Sequence, residues 1–206
     1  MIKSISFSQD EIIDWILELH CKSPIELDPT FSKGNFYKTR PKPKYCFDIA
    51  PQFDFVKQGD CRKLPLESKL IKTAILDGPF GIGSGPSLKT KTEGQNITPG
   101  RFGCFPTGKV LFDFYTEALK EMYRVLKPEG ILILKIQPVV GCGRQWFTHF
   151  HCLQTAIKLG FYPKDEFVLL AKQRPISGKI KQQQHARKFH SYFYVLIKTK
   201  SPINYA

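Results

Sequence analysis

The stretch Ala74-Ile75-Leu76-Asp77-Gly78-Pro79-Phe80 decides the fold. An apolar, β-type run ends abruptly in an acid, a Gly-Pro break and an aromatic ring, so it reads as a buried strand that delivers a short polar-aromatic loop to its C-terminal edge. In open α/β sheets that edge is where ligands bind. A carboxylate, a backbone carbonyl and a ring on one tight turn suit a planar heterocycle bearing an amino group. The acid and the carbonyl accept hydrogen bonds from the NH2, and the ring stacks on the base face. A turn of Asp, Gly and Pro is also ordinary loop chemistry, so the tetrapeptide gains weight only from its surroundings.

Toward the N-terminus, Ser23 to Tyr37 runs from a short strand into a loop. Asp28 ends the strand, Pro29 forbids further ladder donation, and Gly34 allows the backbone to approach a ligand closely. One glycine is too few for the GxGxxG dinucleotide fingerprint. Tyr45-Cys46-Phe47-Asp48 is a second short strand ending in an acid, and a carboxylate there suits the two hydroxyls of a ribose. Phe55 to Pro65 gives a third, ending in Gly59-Asp60 before the turn to the central strand. Four strands therefore end at Asp28, Asp48, Asp60 and Asp77. If they are parallel, the acids share one sheet edge, where their repulsion must be offset by hydrogen-bond donors or by ligand groups.

The remaining elements follow from periodicity. Ser8 to His20 reads as a helix, with Ser8 as cap, Glu11 three residues on and Ile12, Ile13, Trp15, Ile16 and Leu19 at helical spacing. Val110 to Leu126 is a second helix with a wide apolar face, stopped by Lys127-Pro128-Glu129-Gly130; Ile131 to Ile136 is then a buried strand. Trp146 to Leu159 suits a third helix ended by Gly160. Phe167–Ala171 and Ser191–Ile197 are the last strands, expected to pair as an antiparallel edge. Two basic loops, 81–109 and 172–190, are candidate phosphate contacts.

Length and composition bound the rest. A chain of 206 residues with a hydrophobic fraction of 42% fits one medium globular domain with a full core. No apolar stretch approaches bilayer length and the N-terminus lacks a signal peptide's apolar centre, so no membrane partner and a cytoplasmic location are expected. Six cysteines without a CxxC pair read as reduced thiols. Cys142, His149, His151 and Cys152 match no zinc finger or ribbon spacing, so no metal is assigned. The net charge of +13 draws polyanions, nucleic acid first.

With these residues in place the chain resembles the class I S-adenosylmethionine-dependent methyltransferases, specifically the amino-methylating DNA methylases and their small phage-type relatives. The resemblance implies a Rossmann-like α/β fold: a mostly parallel seven-stranded sheet with one antiparallel strand and helices on both faces, in a single domain over 1–206 with no separate target-recognition domain. Leu27 to Phe36 is similar to the family's first cofactor motif, in a variant that starts Asp28-Pro29-Thr30-Phe31 and keeps Gly34. That match implies S-adenosylmethionine as cofactor, with Asp48 on its ribose and Asp60 and Cys61 beside its adenine. Asp77-Gly78-Pro79-Phe80 is similar to the catalytic [Asn/Asp/Ser]-Pro-Pro-[Tyr/Phe/Trp]. Gly78 stands in place of the usual first proline, and Ser32 in place of a frequent glycine.

The mechanism this implies is direct methyl transfer from a sulfonium to an exocyclic amine. Asp77 and the Gly78 carbonyl draw the amine toward tetrahedral geometry while Phe80 holds the flipped base. The acceptor expected first is N6 of adenine in DNA. The alternatives are an RNA base N-methyltransferase, such as the guanine N2 type, and a methyltransferase-like fold without catalysis that serves as a nucleic-acid-binding or partner subunit. Homo-oligomerisation is also left open.

Overall fold

The computed structural model describes residues 1–83, 104–173 and 182–199. Its elements in chain order are β1 (Ile5–Ser6), α1 (Gln9–His20), β2 (Leu27–Asp28), a 3-10 turn (Asn35–Tyr37), β3 (Tyr45–Asp48), β4 (Lys57–Gln58), β5 (Ile71–Leu76), α2 (Gly108–Val125), β6 (Leu126–Ile136), β7 (Val139–Gly141), β8 (Arg144–Trp146), α3 (Thr148–Leu159), β9 (Phe161–Leu170) and β10 (His190–Lys198).

Eight strands form one sheet in the order β1-β9-β10-β6-β5-β2-β3-β4. β10 runs antiparallel to both neighbours, β6 and β9, and every other pair in the sheet is parallel. This is the expected α/β sheet with one antiparallel strand, corrected from seven strands to eight by Ile5–Ser6, which pairs with Val168 and Leu169. Two residues are too short for alternation to reveal a strand. β10 is also interior rather than at an edge, because β9 and then β1 continue the sheet beyond it.

The order places a switch point at the centre. From β2 the chain builds outward through β3 and β4, then returns to lay β5 on the other side of β2 and continues to β6. Crossovers leave β2 and β5 in opposite directions, which opens a crevice at the carboxyl ends of these two strands. Asp28 and Asp77 flank it, since Leu27 pairs with Ala74.

Strand alternation builds the two hydrophobic layers. Ala74, Leu76, Leu132, Leu134, Tyr194 and Leu196 pack against α2 and α3 through Leu111, Tyr115, Leu119, Met122, Cys152 and Ala156. Ile75, Ile131, Ile133, Phe193 and Val195 face α1 through Ile12, Ile13 and Ile16. Helices thus cover both faces, although the crossovers from β2 to β3, β3 to β4 and β4 to β5 contain no α-helix, only the 3-10 turn. α1 begins as expected: Ser8 caps it and accepts from the Glu11 amide. α2 starts two residues earlier than periodicity placed it, because the Thr107 side chain accepts from the Val110 amide. Its C-terminus is closed by the buried Lys198, whose ammonium donates to the Tyr123 carbonyl and, at 2.8 Å, to that of Leu126.

Candidate active site

The switch point is built from three loops. The first, after β2, is bent by two left-handed residues, Ser32 (φ 50) and Gly34 (φ 65). A β-carbon at Gly34 would meet the Phe31 ring at 2.7 Å. That ring cannot retreat, being stacked on Tyr37 at 5.2 Å and held edge-on by Phe53 and Phe55. Gly34→Ala is therefore expected to cost about 2 kcal/mol, from a left-handed alanine plus overpacking. Denaturant unfolding checks it, and a loss below about 0.5 kcal/mol, inside the range of ordinary surface substitutions, would contradict the packing.

Asp28 lies beneath this loop, 1% exposed. Oδ1 accepts from the Thr30 amide at 2.9 Å and the Thr30 hydroxyl at 3.3 Å, and Oδ2 accepts from the Tyr37 hydroxyl at 2.8 Å. Burial, opposed by these hydrogen bonds and aided by the Asp77 charge, pushes its carboxyl up to about 7. Asp28 thus shapes the loop from below, and Thr30 is the part of the motif that faces Asp77.

The second loop follows β3. Asp48 accepts from the Ser32 amide through Oδ2 and from the Ala50 amide through Oδ1, each at 2.8 Å, so it ties two loops together. Ile49, next to it, is 67% exposed. Asp60 is gripped by Arg62, with contacts of 2.6 to 3.0 Å that hold its carboxyl below the usual range. The Arg62 guanidinium also lies 5.5 Å from the Phe114 ring centroid. Cys61 points into the core, and burial pushes its thiol up to about 12.

The third loop is the catalytic candidate. The Asp77 amide donates to Thr30 Oγ1 at 3.0 Å, and Asp77 Oδ2 accepts from Lys135 Nζ at 2.8 Å. No described residue hydrogen-bonds Oδ1. The Gly78 carbonyl accepts from the Tyr115 hydroxyl at 2.9 Å, which among the described residues leaves one lone pair for a ligand. A β-carbon at Gly78 would lie 3.1 Å from both the Phe114 ring and the Tyr115 oxygen. Glycine therefore fits where a proline ring would crowd α2. Pro79 and Phe80 are half-buried, and no described ring stacks on Phe80.

Each of the four strand-end acids thus meets donors from the protein itself: Tyr37 and Thr30 for Asp28, backbone amides for Asp48, Arg62 for Asp60 and Lys135 for Asp77. Their mutual repulsion is offset without a ligand, so the acid cluster alone does not require one.

Sequence reasoning missed Lys135, Tyr115, Ile49 and the β7–β8 hairpin. The hairpin turns through Cys142 (φ 51) and Gly143 (φ 71). It packs beside the loop after β5: Gly141 lies against Ile82, and Trp146 covers Gly108 so closely that a β-carbon there would fall 2.1 Å from its ring. The buried side-chain polar atoms without a partner among the described residues are Gln145 Oε1, Thr148 Oγ1 and His149 Nδ1, all at the junction of this hairpin with α3. The available signal was Lys135 itself, a charge interrupting the buried run from Ile131 to Ile136.

The Cys142, His149, His151 and Cys152 side chains do not converge. Cys152 is buried in the core, Cys142 is exposed in the hairpin turn, His151 stacks on Phe112 and His149 on Tyr192. Among the described residues no group of three or more His, Cys, Asp or Glu side chains forms a metal cage. Of the two basic loops, 84–103, with Lys89, Lys91, Arg101 and Phe102, and 174–181 lie outside the described residues. Lys109 pairs with Asp113 at 2.7 Å. No described helix is long and apolar enough to cross a membrane.

No family model matches the chain, and no curated protein matches it. Among solved structures it is similar to a SAM-dependent methyltransferase of Thermotoga maritima, with 18% identity and TM-score 0.48 over 93% of this chain and 95% of that one. It is similar to the PvuII DNA methyltransferase (cytosine-N4-specific), with 18% identity and TM-score 0.45 over 71% of this chain and 49% of that one. For TrmN from Thermus thermophilus the identity is 14% and the TM-score 0.48, over 92% of this chain and 48% of that one. The chain thus spans about half the length of the PvuII enzyme and of TrmN. Likeness at this level leaves activity to be argued from the residues of the site.

Proposed function

We propose that this chain is an S-adenosylmethionine-dependent methyltransferase that acts on an exocyclic amine of a nucleobase, N6 of adenine in DNA first. The observation that carries the reading is the turn at the switch point, where among the described residues Asp77 Oδ1 is unengaged and the Gly78 carbonyl accepts only from Tyr115. Two acceptors on one fixed turn match the two hydrogens of an amino group, and an amine so gripped is drawn toward the geometry in which its lone pair attacks. The half-buried Phe80 supplies a face for the base.

The residues of the first two loops fit the cofactor. Asp48 retains lone pairs for a ribose diol, the exposed Ile49 beside it offers an apolar surface for an adenine, and the loop of Thr30 to Gly34 closes the crevice from the β2 side. When bound, the cofactor would supply an electrophilic methyl group on a sulfonium. Asp60 and Cys61 are assigned to its adenine end, through backbone in the case of Cys61, whose side chain is buried. The net charge of +13 suits a polynucleotide acceptor.

Calorimetric titration with S-adenosylmethionine tests the cofactor assignment. Wild type is expected to bind, and Asp48→Asn to bind about 10-fold more weakly, because a carboxamide has one acceptor oxygen where the carboxylate holds the Ser32 and Ala50 amides and still has lone pairs for the ribose. Absence of binding by the wild type would favour the second reading, a partner or nucleic-acid-binding subunit. That reading draws on the ion pairs already closing on Asp60 and Asp77.

A further inference from the structure

We propose that Thr30 and Lys135 are the positioning residues of the catalytic turn, each fixing a different part of Asp77 from a strand on either side of it. The inference rests on reading Asp77 as the acid that grips the acceptor amine. β5 lies between β2 and β6 in the sheet, and Thr30 follows β2 while Lys135 ends the buried run of β6.

The Thr30 hydroxyl has one proton and directs it to Asp28 Oδ1 at 3.3 Å, so its lone pair is turned to the Asp77 amide at 3.0 Å. Asp28 is itself held by Tyr37. A chain of hydrogen bonds, Tyr37 to Asp28 to Thr30 to Asp77, thus runs from the cofactor loop to the backbone of the catalytic turn. From the other side, alternation sets Lys135 on the same face as Ile131 and Ile133, beneath α1. A lysine there needs a partner, and it finds Asp77 Oδ2 at 2.8 Å, with Gln9 Oε1 at 3.3 Å and the Phe36 and Phe193 ring centroids 5.2 and 5.9 Å from the ammonium. With its amide and one oxygen fixed, Asp77 presents Oδ1 at a set angle.

Lys135→Met keeps side-chain length and its packing on the rings, and Thr30→Val keeps shape, so neither variant removes core. Each is expected to lower kcat about 10- to 100-fold, the usual cost of a misplaced reacting group, with cofactor affinity by calorimetry unchanged within about 3-fold in Lys135→Met, which lies outside the cofactor loop. Lys135→Arg and Thr30→Ser should restore most of the loss, which a merely structural role would not produce.

Two readouts need no turnover. Amide hydrogen exchange at Asp77 should speed up in Thr30→Val and not in Thr30→Ser. The slowly exchanging ¹⁵N signal of the Lys135 ammonium should disappear in Asp77→Ala. Full kcat in Lys135→Met, or unaltered exchange at the Asp77 amide in Thr30→Val, overturns the proposal. An inactive wild type would sink the transferase reading, while the two magnetic-resonance measurements would still decide the positioning.

Discussion

Replacing Asp77 by alanine is expected to lower methyl transfer at least about 100-fold, the usual cost of deleting one preorganised polar group at the reacting atom. Fold and cofactor affinity should stay close to wild type. Asp77 follows β5, with 22% of its side chain exposed, so the substitution opens no core cavity. Its main structural consequence is an unpaired Lys135, which retains Gln9 Oε1 at 3.3 Å and two ring faces. On the proposed reading chemistry and scaffold are separable at this position, because the side chain assigned to grip the amine is not one that holds the sheet together. Full activity in Asp77→Ala, measured with labelled cofactor, would refute the assignment of the turn.

The second large effect concerns stability and comes from Asp28. Burial, against its hydrogen bonds from Thr30 and Tyr37, lifts its carboxyl to about 7 in the folded chain, while an unfolded aspartate titrates near ~3.9. The folded state therefore holds a proton that the unfolded state releases across that window. The stability linked to this group is complete below pH ~4 and is lost as pH rises through about 7, on the order of 4 kcal/mol in total. Asp28→Asn removes the titration and still offers an oxygen to the Thr30 amide and an NH2 to the Tyr37 hydroxyl oxygen. Between pH 4 and 8 the wild-type unfolding free energy should fall relative to the variant's, the depressed His149 and His151 acting alike on both, and the two curves should separate most at pH 8. Parallel curves for the two proteins would mean that Asp28 is ionised throughout.

The elements that position the site were legible because they are buried and abrupt. Ile71–Leu76 and Leu126–Ile136 lie side by side at the centre of the sheet and are announced by the apolar runs 74–76 and 131–136, but the second strand starts at Leu126, which pairs with Ile71, and takes in Lys127-Pro128-Glu129-Gly130, a segment that reads as a helix stop. Ser8 and Gly160 punctuate their helices where cap chemistry places them. What escaped has equally physical causes. β9 begins at Phe161, six residues before the apolar run that announces it, because β1 covers only Val168 and Leu169. Among the described residues the rest of that side is an open edge, so Pro163, Lys164, Asp165 and Glu166 are tolerated in a strand. The hairpin of Val139 to Trp146 hides in a Gly-Cys-Gly turn that reads as a loop.

In the site, the acids were visible and their partners were mostly not. Arg62 stands two positions after Asp60 and the pair is local. The partner of Asp77 is 58 residues away in sequence, and only the register of β5 with β6 brings it close. The depth of Asp28 was likewise invisible, since a strand-end acid reads the same whether it meets solvent or lies beneath a loop. The loops after β2 and β5 touch through Thr30, a contact set by the pairing of Leu27 with Ala74 and by nothing in either segment alone.

The most direct test is transfer of labelled methyl from S-adenosylmethionine to unmethylated genomic DNA and, in parallel, to total RNA, followed by nucleoside analysis, with Asp77→Ala as control. Label in an N-methylated nucleoside, N6-methyladenine of DNA first, that disappears in the control is the predicted result. Label found instead in RNA would keep the chemistry and change the acceptor. No label in either polymer, with no calorimetric binding of the cofactor, would contradict the account and leave a nucleic-acid-binding or partner subunit built on this fold.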